Sequence, residues 1–137
     1  MSANTYTGNT TINSGGTLAL GSSLASTNIT VAGGAMFDVS DLTTPFALGS
    51  GSTLANNSVG AMFNGNNDCS VGTLSLVTDG VNPSFIQTNG TMTISASTII
   101  KINNTGGILG GGNHPLIAAA ATVLEVLRPC KSTARAT

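Results

Sequence analysis

Gly15-Gly16-Thr17-Leu18-Ala19-Leu20 is the phrase that decides how this chain is read. A small, turn-forming pair leads into a Thr and then into apolar residues at every second position. The alternation turns Leu18 and Leu20 to one side of a strand and Ala19 to the other. The phrase comes back as Gly33-Gly34-Ala35-Met36-Phe37-Asp38-Val39, as Ser52-Thr53-Leu54-Ala55, as Gly72-Thr73-Leu74-Ser75-Leu76 and as Gly90-Thr91-Met92-Thr93-Ile94. Aligning Leu18, Phe37, Leu54, Leu74 and Met92 gives steps of 19, 17, 20 and 18 residues. Between the copies lies a second apolar set: Ile12, Ile29 and Val31, Phe46 and Leu48, Val59 to Phe63, Phe85 and Ile86, and Ile99 to Ile102. Each period therefore holds at least two short strands. Asn56 interrupts the alternation where an apolar partner of Leu54 is expected.

A repeat of that length with two or three strands predicts an all-β fold. The expectation is a right-handed parallel β-helix of about six coils, 17–20 residues each, over residues 1–121. Coils at about 4.8 Å spacing supply one another with main-chain hydrogen bonds and with a core that none encloses alone. The predicted core stack is Ile12, Leu18, Leu20, Ile29, Val31, Phe37, Val39, Leu54, Leu74, Leu76, Met92 and Ile94. The predicted turn glycines are Gly15, Gly16, Gly33, Gly34, Gly72 and Gly90. An antiparallel sandwich also spaces short strands evenly, but it does not require like phrases at a fixed step.

Composition agrees. Gly, Thr, Ser and Asn make up 67 of the 137 residues, only 9 are charged, and 40% are hydrophobic. That is neither a helical bundle, which needs Glu, Lys, Arg and Gln, nor a disordered segment, which combines low hydrophobicity with high net charge. The net charge is −1 and the first basic residue is Lys101, so no basic face is available for nucleic acid. No apolar run approaches the about 18 residues of a membrane span.

The opening segment Asn4-Thr5-Tyr6-Thr7-Gly8-Asn9-Thr10-Thr11-Ile12-Asn13-Ser14-Gly15-Gly16-Thr17-Leu18-Ala19-Leu20 resembles the autotransporter-associated β-strand repeat, also called the passenger-associated transport repeat. Val31 to Val39 is similar to the coil that follows in that family. The likeness is specific over residues 4 to about 55 and looser to about 121. It implies a secreted or cell-surface position within a large bacterial passenger, a part in its export or folding, and no catalytic residues. The chain carries neither the signal-peptide pattern nor a membrane barrel, so the expectation is a fragment of a longer parent protein. Its partners would be the neighbouring coils of that parent, and unpaired end strands would favour self-association.

Residues 122–137 read as a divergent tail or cap, or as sequence foreign to the family. The balance of charge shifts from −3 over residues 1–124 to +2 over 125–137. Either Ala118 to Leu127 forms a short helix or Thr122 to Leu127 forms a last strand.

The sequence offers little for catalysis. Asp38 and Asp41, with Asp68 or Asp79 across coils, are the candidate carboxylates for glycoside hydrolysis; each reads more simply as a turn residue. His114 is the only imidazole and reads as an exposed loop residue beside Pro115. Asn64-Gly65-Asn66-Asn67-Asp68 reads as a tight Asn-Gly turn rather than a calcium loop. Cys69 and Cys130, 61 positions apart, read as two unpaired thiols, with one bridge the alternative. No metal, cofactor or catalytic residue is expected. The functional expectation is a structural spacer. The rival classes are an adhesin presenting one face to glycans or matrix and a degraded polysaccharide-processing enzyme.

Overall fold

Alternating Thr and apolar residues become short strands here, and Gly and Asn become the turns that separate them. The structure is a computed structural model, which describes residues 3–119 and 123–128, the latter as main chain. The strands are β1 (Thr10–Ile12), β2 (Thr17–Ala19), β3 (Asn28–Val31), β4 (Met36–Asp38), β5 (Phe46–Ala47), β6 (Thr53–Asn56) and β7 (Ala61–Asn64). They continue with β8 (Asn67–Asp68), β9 (Thr73–Thr78), β10 (Phe85–Asn89), β11 (Met92–Thr93), β12 (Ile99–Asn104), β13 (Gly112–Ala119) and β14 (Val123–Arg128). No helix occurs among the described residues.

The strands form three sheets that the chain visits in rotation. The first has the order β1-β3-β6-β9-β12, the second β2-β4-β7-β10-β13-β14, and the third β5-β8-β11. Every pairing is parallel except β13 with β14. Parallel neighbours in sequence order require the chain to leave the sheet and return one strand further on. The arrangement is consistent with a β-helix or solenoid.

The register corrects the even period. Leu18 does lie opposite Phe37, and Leu54 opposite Leu74. Phe37, however, is matched with Phe63 in the second sheet, whereas Leu54 is matched with Ile29 in the first. Met92 is matched with Asn67 in the third sheet, and Leu74 with Ile100. The first sheet therefore advances by 19, 25, 20 and 26 residues from strand to strand, not by 17–20. One phrase, Thr followed by an apolar residue, serves two sheets, so matching by phrase jumps between faces. Connections such as residues 39–45 and 105–111 stretch the step without disturbing the ladders.

Side chains facing inward form columns. Ile29, Leu54 and Leu74 stack on the first sheet, each no more than 1% exposed. Phe37 and Phe63 stack on the second, both fully buried. Ring centroids lie 6.3 Å apart for Phe37–Phe63 and 4.6 Å for Phe63–Phe85, and Phe46 meets Phe37 edge-on at 5.1 Å. Phe85 lies opposite Ala61, large against small, which lets the rings interleave along the stack. Each such side chain contributes about 1.5–3 kcal/mol of burial.

The helical alternative for Ala118 to Leu127 is overturned. Ala118 and Ala119 lie in β13 and residues 123–127 in β14, matching the other expectation of a last strand. The helix propensity of its alanines loses to the ladder with β10 and to burial of Leu116 and Ile117. Those two consecutive residues both face inward across an irregularity between Pro115 and Ile117, the kind of site where a strand accepts proline.

Candidate functional site: polar ladders and an open edge

Of the predicted core stack, nine side chains are buried: Ile12, Leu20, Ile29, Val31, Phe37, Val39, Leu54, Leu74 and Leu76. Leu18, Met92 and Ile94 are half-buried and pack against the same core. Sequence reasoning left Phe63, Phe85, Leu48, Leu116 and Ile117 outside the stack, and all are buried. Leu48, Phe63 and Phe85 were visible in the second apolar set, whereas Leu116 and Ile117 belonged to neither set. Among the predicted turn glycines, Gly15, Gly34, Gly72 and Gly90 have φ of 78–86°. Gly16 and Gly33 do not; Gly33 is required instead by the close approach of Ser58 Oγ and Val59 O from the next strand connection.

Asn56 is the most informative interior polar residue. It continues the inward parity of Leu54 and is 4% exposed. Its Nδ2 donates to Ser58 O at 2.7 Å, Val77 O at 2.9 Å and Ser84 O at 3.3 Å, and its Oδ1 accepts from Val77 N at 2.7 Å. The β6–β9 pairing ends at Ala55, and the side-chain amide carries the bonding on to Val77. Asn67 and Gln87 are also buried, and their nitrogens donate to Gly65 O at 3.4 and 2.6 Å.

The outer faces carry neutral ladders. Asn64 Nδ2 donates to Asp38 Oδ1 at 3.0 Å, and Asn89 Nδ2 to Asn64 Oδ1 at 3.2 Å, so one charge tops a column of amides. Asn28 Nδ2 donates to Asn9 Oδ1 at 3.0 Å in the same manner. Stacked carboxylates at this spacing would repel; amides donate and accept at once.

Asp38, Asp68 and Asp79 serve as turn acceptors. The hydroxyl and main-chain amide of Ser40 hold Asp38 below the usual carboxylate range, with Asn64 assisting against a small opposing effect of burial. Ser70 does the same for Asp68. Asn82, through its amide and side chain, and Val81 hold Asp79 down. Asp38 lies in the second sheet and Asp68 in the third, on different faces. Among the described residues, no three of His, Cys, Asp and Glu gather as they would around a metal.

His114 departs from its expected place. It lies within β13, half-buried, and its Nδ1 and Nε2 stand 2.9 Å from Gly80 O and Gly110 O. The ring thus ties two loops to the second sheet. Cys69 is a buried free thiol, pushed up to about 12 by burial and, secondarily, by Asp68. Cys130 lies outside the described residues.

The remaining feature is an edge. β12 ends the first sheet, and all six of its residues are exposed. Ile100 and Ile102 lie opposite Leu74 and Leu76, which face the core, yet they are 37% and 46% exposed.

No protein-family profile, curated protein or solved structure matches this chain.

Proposed function

We propose that this chain is a non-catalytic structural segment, a right-handed parallel β-helix of the autotransporter-passenger type. It acts as a spacer at a bacterial cell surface and assists the export and folding of its parent protein. The observation that supports this reading best is the parallel stacking itself, with apolar columns inward and neutral amide ladders outward. Right-handedness follows from the general rule for parallel crossovers. Three of the four aspartates are engaged by turn hydrogen bonds, which favours a structural role over acid–base work.

The test places the whole chain between an export signal and an outer-membrane barrel in a reporter passenger. Surface display, read by protease accessibility on intact cells, should persist with the native chain and collapse with Phe37→Asp. Equal display by both would overturn the reading. A glycan array separates the adhesin class, since a spacer returns no selective signal.

A further inference from the structure

We propose that this chain pairs end to end with a second copy of itself in a two-fold dimer. In it, β12 of each copy takes β14 of the other as its next strand. The inference concerns the end of the stack only and is independent of the passenger reading.

The end of the stack is stepped. In one passage of the chain, β12 closes the first sheet and β13 follows in the second. The second sheet then gains one strand more, β14, laid antiparallel on β13. At this end the second sheet is one strand taller than the first. The lower side of the step carries the exposed core-facing Ile100 and Ile102 and the rim of β12, which no strand among the described residues covers. A parallel edge with apolar inward positions recruits another strand.

The step decides which strand can come. Continuing the stack head to tail would bring β1 of another copy onto β12. Its β2 begins after only residues 13–16, so it would have to lie on the outer side of β13. β14 already occupies that place. Unlimited stacking is thereby blocked. A copy turned by 180° about an axis across the stack presents the same step inverted. Its taller second sheet then stands over β12, and its shorter first sheet over β14. Both rims are filled in one closed contact, as two-fold assembly demands.

Length and charge agree with this pairing. β12 and β14 are each six residues long. Lys101 is the only charged residue of β12, and Glu125 lies within β14. β14 also carries Arg128 at its end, so the attraction is that of Lys101 for Glu125, which the two-fold brings into play twice.

Sedimentation equilibrium on the full chain tests the proposal, comparing wild type with K101E, E125K, the K101E/E125K double variant and I102N. The wild type should sediment as a dimer. K101E and E125K should each weaken dimerisation about tenfold or more, and the double variant should recover most of the loss. I102N should yield monomer. Lys101 and Ile102 are exposed, so the far-UV circular dichroism spectra of K101E and I102N should match wild type, while their melts lose only what dimerisation adds. The dimer is overturned by a monomeric wild type, by mass that grows without limit, by a dimer indifferent to K101E and I102N, or by a double variant no better than its parents.

Discussion

Replacing Asn56 by Leu separates two accounts of the interior by sign. If the core simply prefers apolar residues at inward positions, leucine opposite Val31 should stabilise the fold by about 2 kcal/mol. The hydrogen bonds argue the reverse. Removing the amide strips Val77 N–H of its acceptor and Ser58 C=O of its donor. Each buried group left without a partner costs about 1–3 kcal/mol. Ser84 Oγ still donates to Val77 O at 2.8 Å, so that carbonyl is not counted. The net expectation is a loss centred on about 2 kcal/mol, within a span of about 0–4, once the apolar gain is subtracted. That is a large fraction of the 5–15 kcal/mol typical of a domain. Urea unfolding followed by circular dichroism at 25 °C reads it as a lower midpoint at unchanged slope. An Asn56→Leu protein as stable as wild type, or more stable, refutes the idea that this amide stands in for a missing ladder bond.

Other outcomes follow from the same geometry. Phe63→Ala, at the centre of the ring column, should cost about 3–5 kcal/mol by urea unfolding, and a loss under about 1 kcal/mol would contradict the packing. Gly65→Ala should destabilise by about 2 kcal/mol or more, because φ is 94° and a Cβ would lie 2.6 Å from Ser40 N. Gly51→Ala, with open space around it, should be neutral. In a Cys130→Ser background, Cys69 should resist iodoacetamide at pH 8 until urea is added, and native labelling at the rate of a free thiol would show that it is not buried as described. Asp38 keeps its charge to lower pH when folded, so its contribution is whole above about pH 4 and fades as pH falls through its lowered value. Asp38→Asn should flatten the acid limb of the stability curve, and an unchanged limb would count against the turn.

Alternation alone disclosed the strands and most of the interior: Leu54, Leu74 and Leu76 face inward as their spacing requires. What the sequence could not disclose was which face each phrase belongs to. Thr17-Leu18 and Thr53-Leu54 look alike, yet the first lies in the second sheet and the second in the first. Local pattern records which way a side chain points; only hydrogen bonding between distant strands records its neighbour. Asn56 was visible as an anomaly, but its meaning depends on Val77, 21 residues away. His114 looked like a loop residue because Pro115 follows it, and the irregularity that admits a proline into β13 is set by β14.

The main-chain hydrogen bonds that join β3 to β6 and β6 to β9 all point along the direction in which the strands accumulate. A pull applied between the two ends therefore loads these rows one after another, and the molecule should peel open like a zip at modest force. Force applied across the layers meets whole rows at once and must shear them together. The same protein is thus compliant along its length and stiff across it.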